Sequence, residues 1–241
     1  MSVSDPEQFG VPGLLGMAVY TDIAYLHALH ERANARRGLT ISSLRVQLFT
    51  LNFALLVQFI RAREWASAEG LVIEGVARLA RGGADFAVIT SNTGSSLAEA
   101  VADRLALPLL SITDTTCRFA RDAGCGRLGL LSTMRTSETG IYQRAGERAG
   151  IAVVSPSAEH AARVEALIFD ELISGEVSEA GLDTVRRAID WFAAQGCDGV
   201  AFACTDLTHM VPRLAGSTSL PIFDSTILHA QAAADQAFVR P

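Results

Sequence analysis

The stretch Gly196–Asp206, GCDGVAFACTD, decides the predicted fold. Its glycines and first aspartate are typical of a turn, and the apolar run Val200–Ala203 is too short for a helix, which predicts a buried strand. The run ends at a thiol, a hydroxyl and a carboxylate, those of Cys204, Thr205 and Asp206. Because parallel α/β sheets bind ligands beyond the carboxyl ends of their strands, these three side chains form a candidate site.

An earlier stretch, Gly83–Thr93, repeats this layout as GADFAVITSNT. Three of its residues correspond to residues of the later stretch with a constant offset of 113 positions: Gly83 to Gly196, Asp85 to Asp198, and Ser91 to Cys204. Two Leu-Pro pairs, at 107–108 and 220–221, keep the same step. A register kept this long favours duplication over chance, although Gly-x-Asp before an apolar strand is common, and indicates two related halves.

Strand-like and helix-like patterns alternate along the whole chain, which predicts an α/β fold with parallel sheets. We expect two similar lobes, each a mainly parallel sheet covered by helices, related by pseudo-twofold symmetry and with the active site in the cleft between them. Residues 1–115 form the first predicted lobe and residues 116–224 the second. The last helix, about 225–241, is expected to pack on the first lobe.

Several predicted element boundaries depend on which polar residue caps a helix. The pattern predicts a loop at Met17–Thr21 and another at Pro156–His160, and strands at Leu44–Leu51 and Pro108–Ile112. The predicted caps are Thr21 or Asp22, Ser95 or Ser96, and Thr136 or Ser137.

The composition excludes several classes of function. The net charge of −6 argues against nucleic acid as a partner, since such proteins present a basic surface. No apolar run reaches the roughly 18 residues of a membrane span. All 20 basic residues are arginine, so neither a Schiff-base lysine for pyridoxal phosphate nor a P-loop can be built. We therefore expect no membrane partner, no pyridoxal phosphate site and no P-loop nucleotide site.

The four cysteines, at positions 117, 125, 197 and 204, form no C-x-x-C pair, and no histidine cluster completes a metal site. The start of the chain, Met1–Gln8, is polar and acidic, unlike a secretory signal. We expect a cytoplasmic protein with reduced thiols and no bound metal.

The two strand-end motifs carry a resemblance to a known family. Ala203-Cys204-Thr205-Asp206 and Ser91-Asn92-Thr93 resemble the paired motifs of the aspartate/glutamate racemase family, with a serine where the first motif has cysteine. The resemblance runs nearly end to end and includes Gly13–Met17 and Phe223–Ser225. It implies an isomerase that needs no cofactor, not even pyridoxal phosphate, that acts on an amino acid or another small carboxylate, and that forms a homodimer.

Racemisation removes a proton from one face of Cα and returns one to the other, so two acid–base groups must flank the carbon. The resemblance assigns these catalytic roles to Cys204 and Ser91. Cys204 precedes a predicted helix, whose N-terminus is expected to lower the thiol pKa from about 8.5. A serine alkoxide is much harder to form, and no adjacent histidine activates Ser91.

Three functions remain open at this point. The first is a racemase or epimerase in which Ser91 relays a proton. The second is a lyase, decarboxylase or isomerase that uses Cys204 alone. The third is a non-catalytic protein that binds a small acid.

The polar residues beside the two catalytic positions are candidates for substrate binding. Their side chains and loop N–H groups can hold the α-carboxylate, and for Arg163 the resemblance implies contact with a distal carboxylate. An exposed helix arginine is the alternative for Arg163, and a surface position is the alternative for His209 near Asp206. The predicted substrate-binding residues are Asn52, Asn92, Thr93, Thr133, Arg163 and Thr205.

Overall fold

The structure, a computed structural model, describes residues 9–41 and 44–239. Residues 1–8, where an acidic leader is predicted, and the last two residues of the predicted final helix lie outside the described residues. The chain divides into two compact units. Unit 1 holds the residues up to Ile112 and those from His229 on, and unit 2 holds Thr113–Leu228.

Unit 1 contains a parallel sheet of four strands in the order β2-β1-β3-β4. Its strands are β1 (Pro12–Gly16), β2 (Gln47–Thr50), β3 (Phe86–Ile89) and β4 (Leu109–Leu110). The helices between these strands are α1 (Val19–Arg37), α2 (Phe53–Ala62), α3 (Trp65–Arg81) and α4 (Asn92–Ala100). The next helix, α5 (Ile112–Asp122), lies in unit 2 except for its first residue.

Unit 2 repeats this sheet with the order β6-β5-β7-β8, again fully parallel. Its strands are β5 (Arg127–Leu131), β6 (Ala152–Val154), β7 (Gly199–Phe202) and β8 (Ile222–Asp224). The helices are α6 (Met134–Glu138), α7 (Ile141–Ala149), α8 (Ala158–Asp170), α9 (Glu179–Ala194), α10 (Val211–Leu214) and α11 (Ser225–Ala237), with a 3-10 turn at Thr205–Met210.

The predicted fold class is confirmed: each unit is a parallel sheet covered by helices. The inner strands β1, β3 and β7 are buried along their whole length. This explains their unbroken apolar sequences, because a strand covered on both faces has no solvent side to make polar. None of the helices in the described part of the chain is long and apolar enough to cross a membrane.

The sequence repeat is matched by a repeated set of hydrogen bonds. Asp85 Oδ2 accepts a bond of 2.7 Å from the Val11 N–H, and Asp198 Oδ2 accepts bonds of 2.9 Å from Gly126 and Arg127. The backbone N–H of each aspartate donates to the carbonyl of Val11 or Arg127, at 2.8 Å in both cases. In each unit the aspartate thus binds the entry to the first strand of its own sheet.

The residues of α11 from His229 on complete unit 1. The Arg32 guanidinium makes two hydrogen bonds to Asp235, at 3.0 and 2.8 Å. The fully buried His229 ring lies between the Tyr25 hydroxyl, 2.8 Å from Nδ1, and the Leu110 carbonyl, 3.0 Å from Nε2. The end of the chain is therefore part of the core of unit 1.

Several predicted boundaries were wrong, and the first is the start of α1. The helix begins at Val19 after an extended Ala18 that makes no side-chain cap, so the loop predicted at Met17–Thr21 is shorter. The predicted caps Thr21 and Asp22 instead lie buried in the first turn. Asp22 is held in the core by the Thr90 and Thr50 hydroxyls.

The remaining corrections concern caps and strand lengths. Helix α4 is capped by Ser91, four residues before the predicted Ser95, and α6 by Thr133, three residues before the predicted Thr136. Helix α8 is capped by Ser157, inside the predicted loop. The predicted loop Pro156–His160 is therefore partly helical, and the strands predicted at Leu44–Leu51 and Pro108–Ile112 are shorter, as β2 and β4.

Candidate active site

Cys204 lies two residues beyond β7, at the start of the 3-10 turn Thr205–Met210. Its side chain is packed in the core of unit 2, with only 8% of the residue exposed. The Sγ atom lies 3.6 Å from Asp206 Oδ2, so the thiol donates to this carboxylate. A nucleophilic thiol and a proton acceptor are thus paired at the carboxyl end of an inner strand.

Burial raises the pKa of the Cys204 thiol well above its usual value, and the neighbouring Asp206 charge raises that pKa further. The backbone N–H groups of Asp206 and Leu207 lower it in part. The expected lowering of the pKa by a helix N-terminus was wrong, because desolvation outweighs the few N–H groups of a short 3-10 turn. The thiol is therefore protonated at neutral pH.

The pKa of the Asp206 carboxyl is also raised from its ordinary value. Burial raises its pKa, while the Cys204 thiol and then the charge of His209 lower it in part. His209 is thus within electrostatic reach of Asp206, in the same 3-10 turn. The proton of Cys204 thus has an acceptor in the same turn, the carboxyl of Asp206.

Asp224 is the last residue of β8 and is paired in register with Phe202 of β7. Its Oδ1 accepts from the Thr208 hydroxyl at 3.1 Å and from the Thr226 N–H at 2.9 Å. Burial raises the pKa of Asp224 despite these bonds. The sequence favours Asp224 as a cap of the last helix, and the resemblance places it near the site; its bonds from the Thr226 and Ile227 N–H groups are those of a cap.

Ser91 follows β3 in unit 1 and caps α4. Its backbone is extended, and its Oγ accepts a bond of 3.0 Å from the Gly94 N–H. Serine is among the preferred N-cap residues, so this bond gives the serine a structural role of its own. The hydroxyl hydrogen is not used in that bond and stays available for donation.

A buried carboxylate that sequence reasoning missed, Asp22, lies beside the same strand ends. Asp22 Oδ1 is 2.7 Å from the Thr90 hydroxyl and Oδ2 is 3.5 Å from that of Thr50. A Cβ on Gly16 would lie 2.3 Å from Asp22 Oδ2, so the carboxyl rests directly on the end of β1. Burial raises the pKa of Asp22, and the Thr90 hydroxyl lowers it in part.

The other predicted substrate-binding residues fall into two groups. Five lie at carboxyl ends of strands, within their own units: Asn52, Asn92, Thr93, Thr133 and Thr205. Of these, Asn52 caps α2 through its side-chain oxygen, and Thr133 caps α6. Arg163 lies instead on α8, where its Nη2 is 2.9 Å from Glu159 and its side chain is more than half exposed.

Within residues 9–41 and 44–239, no three histidine, cysteine or acidic side chains are placed to hold a metal ion. The described strand ends present a thiol, carboxyls, hydroxyls and amides.

A thiol paired with a carboxylate at a strand end is chemically able to transfer a proton. Residues 14–233 match the protein family described as Asp/Glu/Hydantoin racemase. The match covers most of the chain, and the chain therefore belongs to this family.

Solved structures agree with the assignment. A Yersinia pestis protein described as a candidate Asp/Glu racemase is 33% identical, covers 95% of this chain and 99% of its own, and superposes with a TM-score of 0.86. A Pyrococcus horikoshii aspartate racemase homologue is 22% identical over 95% and 98% of the two chains, with a TM-score of 0.80. A Francisella tularensis glutamate racemase, solved with D-glutamate, is 11% identical over 96% and 82%, with a TM-score of 0.67. The last two show likeness of fold.

Proposed function

We propose that the protein is a cofactor-independent amino-acid racemase or epimerase, in which Cys204 is one acid–base group. The observation that carries this proposal is the buried Cys204 thiol, 3.6 Å from Asp206 at the end of β7. Membership of a family named for racemases supports it. The predicted cleft between two lobes stays a prediction.

The protonation of Cys204 suits one direction of the reaction directly. The thiol delivers its proton to the Cα carbanion: the S–H bond breaks, a C–H bond forms, and a thiolate remains. In the other direction Cys204 must first lose its proton, and Asp206 is the acceptor within reach. The thiolate then takes the Cα proton, and the electron pair stays on Cα, delocalised into the α-carboxylate.

Ser91 is proposed as the group for the opposite face of Cα. Its Oγ is fixed by the Gly94 N–H, which leaves its hydrogen to be passed to the carbanion. The resulting oxygen must be reprotonated from solvent or from the substrate, so the step is expected to be slower than the thiol step.

The substrate carboxylate is proposed to bind at the residues that surround these two groups. Asn92 and Thr93 form the first turn of α4, where the helix N-terminus favours negative charge. Thr205, Thr133 and Asn52 add hydroxyl or amide donors at neighbouring strand ends. The assignment of Arg163 to a distal carboxylate is the weakest, because its ion pair with Glu159 accounts for its position.

The substrate is proposed to be an amino acid or a related small carboxylate. The Francisella tularensis glutamate racemase binds D-glutamate, which supports an amino acid here. We further propose a cytoplasmic homodimer, from the four free cysteines and from the frequency of twofold dimers among soluble oligomers. Light scattering during gel filtration tests the dimer.

A second function is favoured by one observation, the capping of α4 by Ser91. If this bond is the whole role of Ser91, Cys204 works alone, as in a lyase, decarboxylase or isomerase that protonates one face. Such an enzyme exchanges or protonates Cα without inverting it.

The test is to incubate the protein in D2O with L- and D-amino acids and to follow each Cα–H by NMR. Cys204→Ala is the test variant, and Cys197→Ala, a buried cysteine at the other end of the same strand, is its control. We expect exchange with inversion, lost in Cys204→Ala and kept in Cys197→Ala.

Each other outcome selects a different function. Exchange without inversion supports the one-base enzyme, and Ser91→Cys is then expected to restore inversion. Exchange that survives Cys204→Ala contradicts the proposed catalytic role. If no amino acid exchanges its Cα–H, the racemase proposal is contradicted. Assays of carbon dioxide release, elimination and ligand binding are then the next step.

A further inference from the structure

The 3-10 turn that carries Cys204 is tied to the adjacent strand by a hydroxyl. Thr208, four residues beyond Cys204 in this turn, donates its Oγ1–H to Asp224 Oδ1 at 3.1 Å. Asp224 ends β8, whose register with β7 is fixed by the sheet. The bond therefore joins the Cys204 turn to a rigid element of the same unit.

One oxygen of Asp224 collects all its hydrogen bonds. Oδ1 accepts from Thr208, from the Thr226 N–H at 2.9 Å and from the Ile227 N–H at 3.4 Å. Oδ2 is buried and has no hydrogen-bond partner among the described residues, and the same holds for the Thr226 hydroxyl oxygen. Only 7% of Asp224 is exposed.

This division of the two oxygens favours a neutral carboxyl. In an ionised Asp224, half of the negative charge would lie on a buried oxygen without a donor, which is costly. A proton on Oδ2 removes that charge and leaves Oδ1 free to accept its three bonds. Burial raises the pKa of Asp224. The groups that lower it are the Thr208 hydroxyl, then the Ile227 and Thr226 N–H groups, and last the nearby Thr226 hydroxyl, whose geometry is not that of a hydrogen bond; none of them is charged.

We propose that Asp224 is a positioning residue: as a neutral carboxylic acid, it holds the turn that carries Cys204 in place through Thr208. This proposal rests on the proposed function only in taking Cys204 as the reacting group. Its task is mechanical: it fixes the backbone from which both Cys204 and Asp206 project. The S–H···O contact of 3.6 Å between those residues depends on this backbone.

The first experiment removes the hydroxyl with Thr208→Val. The matched control is Thr184→Val, which deletes a hydroxyl that bonds to the Ala180 carbonyl on α9 of the same unit. The measurement is the rate of Cys204 alkylation by iodoacetamide between about pH 7 and about pH 9, by mass spectrometry of the peptide. In Thr208→Val we expect Cys204 to be alkylated about fivefold faster, because the turn opens more often when it lacks one hydrogen bond. In Thr184→Val we expect the rate of the wild type.

The second experiment tests the charge state with Asp224→Asn and Asp224→Ala. The amide keeps an accepting Oδ1 and puts a donor where we place the proton, so Asn is expected to stay within about twofold of the wild type. Alanine is expected to react like Thr208→Val. If Asn reacts like alanine, the neutral acid is refuted.

Unchanged Cys204 alkylation in folded Thr208→Val and Asp224→Ala refutes the positioning role itself. A role in stability alone moves the urea midpoint but leaves the alkylation of the folded protein as it was. If Asp224→Ala does not fold, Thr208→Val decides. Alkylation needs no substrate, so a protein that racemises nothing still gives an answer, and the failure of the proposed function stays separate.

Discussion

Acidification is expected to weaken unit 1 through one residue, His229. The Leu110 carbonyl only accepts, so Nε2 carries the ring hydrogen and Nδ1 accepts from the Tyr25 hydroxyl. Both nitrogens of the neutral ring are satisfied, and a second proton would have to displace the Tyr25 donor. Burial accordingly lowers the pKa of His229 from 6.5 to about 4.

The size of the effect follows from that fall in the pKa. At about 1.4 kcal/mol per pKa unit, it corresponds to about 3.5 kcal/mol of unfolding free energy. Because the unfolded chain binds the proton more tightly, this contribution is complete above about pH 6.5 and is lost as the pH falls towards 4. By about pH 4.5 the loss is about 2.5 kcal/mol.

The assay is urea unfolding of the wild type and His229→Gln at about pH 7.5 and about pH 4.5. The wild type is more stable at the higher pH, and we expect its advantage to shrink by about 2.5 kcal/mol at the lower. Buried carboxyls common to both proteins cancel in this difference. The control is His27→Gln, because the His27 side chain on α1 is 72% exposed and pairs only with Glu31, among the contacts described for it. A constant difference between wild type and His229→Gln would refute a neutral, buried ring.

Two further predictions concern the packing and the charge of unit 2. Gly129→Ala would place a Cβ 2.6 Å from the Phe192 ring, and we expect it to lower the free energy of unfolding by about 1–3 kcal/mol. Gly70→Ala, on helix α3, meets open space, and we expect it to raise the free energy of unfolding by about 0.5–1 kcal/mol. Urea unfolding measures both, and equal effects would contradict the close contact of Gly129 with Phe192. Asp206→Asn removes the charge that raises the pKa of Cys204, so Cys204 is expected to be alkylated several-fold faster at about pH 8. A slower or unchanged rate would contradict that attribution.

The strongly patterned segments could be predicted from the sequence. The pattern predicts a helix at Trp65–Arg81 and a strand at Phe86–Ile89, and α3 and β3 have these bounds. The amphipathic face ends at glycine, and the apolar run ends at polar residues. The strand end that carries Cys204 was found for the same reason. Local pattern suffices where the burial of a segment follows from its own composition.

The helix caps could not be predicted as well. Around the start of α4, three serines lie within six residues, at positions 91, 95 and 96, and each is of a type that caps helices well. The choice of Ser91 depends on where β3 ends, and therefore on a sheet built from distant segments. The same holds for the pKa of Cys204, where burial by the surrounding core outweighs the local effect of the turn.

Asp22 was missed although a signal was present. It shares the inner face of α1 with Tyr25 and Leu29, at the spacing i, i+3 and i+7, and all three are buried. A charged residue on an otherwise buried helix face indicates a partner in the core. That partner, Thr90, is 68 positions away, beyond the reach of a local pattern.

The division of the chain has a consequence for its synthesis. A ribosome releases unit 2, Thr113–Leu228, in one continuous piece, which can fold once it has emerged. Unit 1 emerges first but lacks the partners of Tyr25 and Arg32 until His229 and Asp235 have been made. The unit whose synthesis begins first is therefore completed after unit 2. Deletion of residues 229–239 is then expected to weaken unit 1, and not unit 2, to which those residues are joined in sequence.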